Sequence, residues 1–173
     1  MQKNKFLGTL SVTMIAVFVM QAFPANAGTK YSDIYVSEVL DGDTIRVDLG
    51  GEIETVKVIG LNAPDKVTAK KPAQCFNAQA YKQAKKLLLG KKVTLEEDVT
   101  QGDEDKDGKL LRHVYLTGGV SFAKLMVKDG YGFALNPKKP YLNQKALLNA
   151  EQTAITAKKG LWAVDTCNGK TKK

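Results

Sequence analysis

Two short turns hold the side chains best suited to chemistry. They are Val39-Leu40-Asp41-Gly42-Asp43-Thr44-Ile45 and, further along, Val58-Ile59-Gly60-Leu61-Asn62-Ala63-Pro64-Asp65. Each is a run of β-formers ending in small, oxygen-rich residues, where carboxylate and carbonyl oxygens can hold a hard cation or turn amides a phosphate. A third acidic turn, Asp103-Glu104-Asp105-Lys106-Asp107-Gly108, matches the front half of a calcium-loop pattern. The position that needs a bidentate glutamate is Val114, however, so this stretch reads as a solvated acidic turn. His113 is the only histidine and alternates with Leu111 and Tyr115, which suits a structural role. Cys75 and Cys167 have no further cysteine or histidine at ligand spacing, which argues against metal binding or thiol catalysis.

The start of the chain predicts export. Lys3 and Lys5 precede an apolar run from Phe6 to Phe23, followed by Pro24 and Ala25-Asn26-Ala27. A basic start, an apolar core and a small-x-small site describe a secretory signal peptide cut after Ala27. An uncleaved anchor is the rival reading, because the run is near the lower limit for a span. With 1–27 set aside, residues 28–167 make one domain and 168–173 a mobile basic tail. No membrane span is expected after cleavage, and the domain is expected to be a monomer. The formal charge of +8 falls to +6, since the leader contains two lysines and no acid. Such a domain attracts polyanions, whether nucleic acid, anionic cell-surface polymers or lipid headgroups. In an oxidising compartment the two cysteines pair, and the entropy of closing so long a loop gives roughly 4–5 kcal/mol.

The elements that must position these turns are legible from periodicity. Ile34 to Leu40 reads as a strand with Ile34 and Val36 opposite Tyr35 and Ser37. Ile45, Val47 and Leu49 alternate with Arg46 and Asp48, Gly50-Gly51 makes a hairpin turn, and Ile53 to Leu61 returns. Lys57 shares a pleat face with Thr55 and Ile59, opposite Val56 and Val58. Pro64 ends this meander, and Ala80, Ala84, Leu87 and Leu88 then predict a helix over Asn77 to Leu89. Strands at Val93 to Leu95 and Leu110 to Leu116 follow, then a short helix around Phe122 to Met126 and a last one over Leu142 to Lys159. Arg46 and Arg112 read as solvent-facing strand residues. Five short strands with a helix between the third and fourth predict an α+β fold, a five-stranded OB-fold (oligonucleotide/oligosaccharide-binding) β-barrel with three helices.

Asp41-Gly42-Asp43-Thr44, Val58 to Asp65, Asp105-Lys106-Asp107-Gly108-Lys109-Leu110-Leu111 and Gly160-Leu161-Trp162 together resemble the staphylococcal nuclease-like (thermonuclease) family, over about Tyr31 to Cys167. The resemblance implies an exported or membrane-tethered barrel and calcium-dependent hydrolysis of DNA and RNA phosphodiesters. Some exported members share the cysteine pair. Carried over position by position, Asp43 is the first calcium ligand, Asn62 replaces the second ligand aspartate, and Ala63 supplies a backbone carbonyl. Asp65 stands for the general-base glutamate, one methylene shorter. Lys57 and Lys109 stand for the two phosphate-gripping arginines. Loss of a charged ligand, a shortened base and two point charges in place of guanidinium forks all predict weak or lost turnover. The alternative is a non-catalytic pseudo-nuclease that binds nucleic acid or another polyanion. Lys66, Lys70, Lys71, Lys138 and Lys139 flank the expected site, and Tyr131 and Tyr141 lie where the family places tyrosines near the nucleotide.

Overall fold

The computed structural model describes residues 28–69 and 71–170; the leader at 1–27, Lys70 and the end of the basic tail lie outside the described residues. In chain order the elements are β1 (Lys30–Asp41), β2 (Thr44–Leu49), β3 (Glu52–Val58), β4 (Leu61–Asn62), α1 (Asn77–Leu88), β5 (Lys92–Glu96), β6 (Leu110–Leu116), β7 (Val120–Ser121), α2 (Phe122–Lys128), β8 (Phe133–Ala134) and α3 (Gln144–Thr156). A 3-10 turn at Gly160–Trp162 follows α3.

Alternation decides the inner faces. In β2, Ile45 and Val47 are buried and Arg46 and Asp48 exposed, and in β3 Val56 and Val58 are buried. Gly50 and Gly51 both take positive φ, the backbone this two-residue hairpin demands. β1 faces inward at Val36 as its pattern predicts, but Val39 is also inward. A register shift against β2 between Val36 and Glu38 inserts the extra residue that lets two valines at odd spacing share a face.

β3, β2, β1, β5 and β6 follow one another in antiparallel order, and β3 then pairs parallel with β6. Those five strands close on themselves as an OB-fold barrel with three helices, as the order of elements predicts. Helix α1 turns Ala80, Ala84 and Leu88 to the core, and α2 adds Phe122 and Met126. Helix α3 starts later than the periodicity suggests. Asn143 is left-handed, so the helix can begin only after it, and the Leu142 amide just before donates to Asp98 at 2.7 Å. Gly130 and Gly160 lie so close that a Cβ on either would strike the other segment's backbone, and Leu161 donates its amide to Gly130 at 2.9 Å. The Cys75–Cys167 disulfide fastens this C-terminal turn to the segment ahead of α1.

Arg112 corrects the sequence reading. It is buried, not solvent-facing, with its guanidinium 2.7 Å from Asp103 and 3.8 Å from Glu97. Position 112 lies where β6 meets β3, and the acidic turn folds over it. Arg46 does face solvent, paired with Glu38 at 2.7 Å.

Asp98 anchors the loop that leads into α3. It accepts from the Thr100 amide and hydroxyl, the Leu142 amide and, at 3.0 Å, Nε2 of His113, which fits the structural role expected for that histidine. Burial alone would raise the Asp98 pKa, but the hydrogen bonds from Thr100, Leu142 and His113 outweigh it and hold the carboxyl at about 2. A depressed carboxylate stabilises the fold above its unfolded value and loses that contribution as pH falls through the folded one. Acid titration of unfolding from pH 4 to pH 2 should therefore remove about 2 kcal/mol through this group. Asp98→Asn should abolish that component in the same denaturation series.

Candidate active site

The β1–β2 turn, the loop after β4 and the acidic turn before β6 surround a cavity of about 350 Å³ lined by Asp41, Asp43, Lys57, Asp65, Lys66, Asp105, Asp107 and Lys109. Asp43 is only 3% exposed. Its Oδ1 accepts from the Lys57 ammonium at 2.6 Å and the Thr44 hydroxyl at 2.9 Å, and its Oδ2 accepts the Ala63 amide at 2.9 Å. The contact follows from register, because Thr44 lies directly opposite Lys57 in the β2–β3 ladder.

Asp41, two residues before, carries no role in the sequence reading yet lines the same cavity. It accepts from the Gly42 amide, the Asn77 side chain and the Lys66 amide, and its pKa is raised by burial despite those bonds. Asn77 also donates to the Pro64 carbonyl at 2.8 Å, so the first residue of α1 ties the two turns together. Asp65 is exposed and faces the cavity. Its backbone is clamped on both sides by Gln74, whose Oε1 accepts the Asp65 amide at 2.8 Å while its own amide donates to the Asp65 carbonyl at 2.9 Å.

On the far wall the Lys109 ammonium lies 3.0 Å from Asp107 and 3.4 Å from Asp105. The hydrogen bond to Asp107 is the main reason that its pKa is raised. Asp105 also accepts the Asp107 and Lys109 amides, which shapes the acidic turn. Those amides and the Lys109 ammonium overcome the effect of burial and lower its pKa.

The structure thus brings Asp43, Lys57, Asp65 and Lys109 to one cavity. Asn62 and Ala63 are not among the residues lining it: Asn62 is an exposed residue of β4 paired with Phe133, and Ala63 is buried. Lys66, expected to flank the site, does line the cavity, whereas Asp41, Asp105 and Asp107 line it without having been assigned a role. The adjacency of Asp41 to Asp43 was the available signal for the first of these three. Among the described residues no three carboxylate, imidazole or thiol side chains converge as a metal-binding group.

Lys57 also borders a second cleft of about 370 Å³ floored by Ile59, Leu111, Leu135 and Tyr141. The Tyr141 hydroxyl donates to the Leu135 carbonyl at 2.7 Å, and burial raises its pKa to about 12. Tyr131 stacks obliquely on Phe76 at 5.7 Å and does not line either cleft. Lys71, Lys138 and Lys139 are exposed, and the backbone at Lys139 and Pro140 is held by Gln101.

Residues 55–164 match the family described as staphylococcal nuclease homologue. The chain belongs to that family. It is 32% identical to a thermonuclease of Staphylococcus hyicus over 128 residues, which cover 74% of each protein. A prophage-derived endonuclease of Bacillus subtilis is 32% identical over 76% of this chain, and an uncharacterised protein of Bacillus anthracis 38% identical over 75%. The chain spans 60% of the Bacillus anthracis protein and 44% of the Bacillus subtilis one. Among the described residues of this nuclease-family barrel, no helix is long and apolar enough to cross a membrane.

The bridge between the two turns and the disulfide beside it should be separable in denaturant melts. Asn77→Ala removes the bonds to Asp41 and Pro64 and should cost about 1–2 kcal/mol. Reducing the disulfide should cost about 2–5 kcal/mol.

Proposed function

We propose that this protein is an exported, calcium-dependent phosphodiesterase of DNA and RNA that turns over slowly. The observation that carries the proposal is the convergence of Asp43, Lys57, Asp65 and Lys109 on one cavity. Two ammonium groups on opposite walls can attract a phosphate, and the exposed Asp65 carboxylate can accept a proton from an attacking water. Gln74 fixes the backbone from which Asp65 reaches, and Asn77 fixes the turn before it.

Calcium would be held by Asp43, and when bound it would offset charge developing on the transferring phosphoryl group; Asn62 and Ala63, the companions that the family resemblance implies, do not line the cavity. The carboxylate oxygens of the cavity fit a calcium ion in type, but Lys57 already contacts Asp43. Slow turnover follows from the side chains themselves. Lysine presents a point charge and not a bidentate fork, each of the two lysines is engaged with aspartate, and the shorter Asp65 must reach further than a glutamate would.

The test is cleavage of single-stranded DNA in millimolar calcium by protein lacking residues 1–27. Asp43→Ala should abolish whatever cutting is seen. Combined Lys57→Arg, Asn62→Asp, Asp65→Glu and Lys109→Arg should raise the rate at least about a hundredfold, the scale of one restored transition-state contact. A folded quadruple variant that cuts no faster overturns the assignment of the site.

A second reading has its own support: a non-catalytic binder of nucleic acid or another polyanion. Lys57 and Lys109 are paired within the cavity, whereas Lys66 at its lining and Lys71, Lys138 and Lys139 on loops are exposed. Retention on DNA that falls steeply with salt, without cleavage in any variant, is the expected result under that reading. Export is supported by the basic, apolar and small-residue pattern at the N-terminus and by the paired cysteines. Recovery from the cell envelope or medium of protein beginning at Gly28 tests it.

A further inference from the structure

We infer that Lys57 serves Asp43 as a tethered cation, so that a divalent metal can bind this carboxylate only by displacing the lysine. The inference rests on the reading of Asp43 as a cation ligand. Asp43 is an almost fully buried carboxylate, and both its oxygens are engaged: Oδ2 by the Ala63 amide and Oδ1 by the Thr44 hydroxyl and the Lys57 ammonium. A buried carboxylate needs a compensating charge, and the 2.6 Å contact supplies one. Lys57 retains 30% exposure of its side chain. Its ammonium therefore reaches the carboxylate from the open side, where an incoming metal would also approach.

The other lysines of the cavity have different partners. Lys109 is held between Asp105 and Asp107, and the Lys66 ammonium donates to the Leu40 carbonyl at 3.0 Å. Lys57 is the lysine in contact with Asp43. A divalent cation arriving at Asp43 meets an ammonium on the same oxygen, and the two repel at contact distance. Lysine has a flexible stem and a single charged atom, so displacement by rotation is the available resolution. Lys57 thus gives this carboxylate a built-in occupant that weakens its apparent metal affinity.

Calorimetric titration with calcium alone, in the absence of nucleic acid, tests this directly. Lys57→Met should bind calcium at least about tenfold more tightly than the unmodified protein, while Lys66→Met, which removes a like charge from the same cavity, should gain less than about threefold. Adding Asp43→Asn to Lys57→Met should erase the gain. The melting temperature of Lys57→Met should rise with calcium far more than that of the unmodified protein, because the metal then repairs an unpaired buried carboxylate. Should Lys57→Met fail to fold, Lys57→Gln provides the same comparison with a polar side chain.

Equal affinity in the unmodified and Lys57-substituted proteins overturns the inference. So does an equal gain in Lys66→Met, which would reduce the effect to general charge, or a gain that survives Asp43→Asn. No measurement here uses cleavage, so a protein that binds calcium as expected but cuts nothing would count against the nuclease reading alone.

Discussion

The parallel pairing of β3 with β6 is the constraint on which the site depends. It aligns Val56 with Leu110, Lys57 with Leu111 and Val58 with Arg112, and the Ile59 amide extends the ladder by donating to the Arg112 carbonyl. These residues are far apart in sequence, and only closure of the barrel makes them neighbours. The pairing sets Lys57 beside the start of β6, so Lys109 and the acidic turn before it form the wall opposite Asp43. Burial of Arg112 at the same seam, between Asp103 and Glu97, fastens the acidic turn to the barrel with charge rather than with apolar packing.

Inside the cavity, the charges of Lys57 and Lys109 are offset locally. Lys57 contacts Asp43, and Lys109 contacts Asp105 and Asp107. A phosphate entering this space competes with carboxylates for each ammonium. A guanidinium has five donors and can serve a carboxylate and a phosphate together, whereas each contact made by an ammonium draws on one compact charge. Lysines at both places therefore limit the number of groups that can be satisfied at once, as well as the strength of any one contact.

Much of the fold was legible in the sequence because its barrel strands alternate cleanly and glycine marks their hairpin. Ile45 and Val47 against Arg46 and Asp48 leave little freedom in how β2 can sit. The bulge in β1 was not legible, since nothing in Val36-Ser37-Glu38-Val39 distinguishes a shifted strand from a continuous one. Arg112 misled for a physical reason: a charged residue in an alternating strand reads as exposed until its partners are known, and those partners lie on loops. At the site, Asp43, Lys57, Asp65 and Lys109 could be named from the resemblance to the nuclease family, and they do share a cavity. Asp41, Asp105 and Asp107 could not, because their convergence arises from turns that meet only when the barrel closes. The Lys57–Asp43 contact belongs to the same class, being a product of cross-strand register.

The disulfide between Cys75 and Cys167 spans the exposed acidic turn at 103–108 and the exposed loop at 136–140. A protease that nicks the backbone at either place separates the chain into two pieces that remain covalently joined. After a cut in the acidic turn, one piece carries Asp43, Lys57 and Asp65 and the other β6 with the strands and helices beyond it. The bond holds both pieces at high effective concentration, so re-closure of the barrel becomes an intramolecular event that dilution cannot prevent. That makes loop scission a survivable injury.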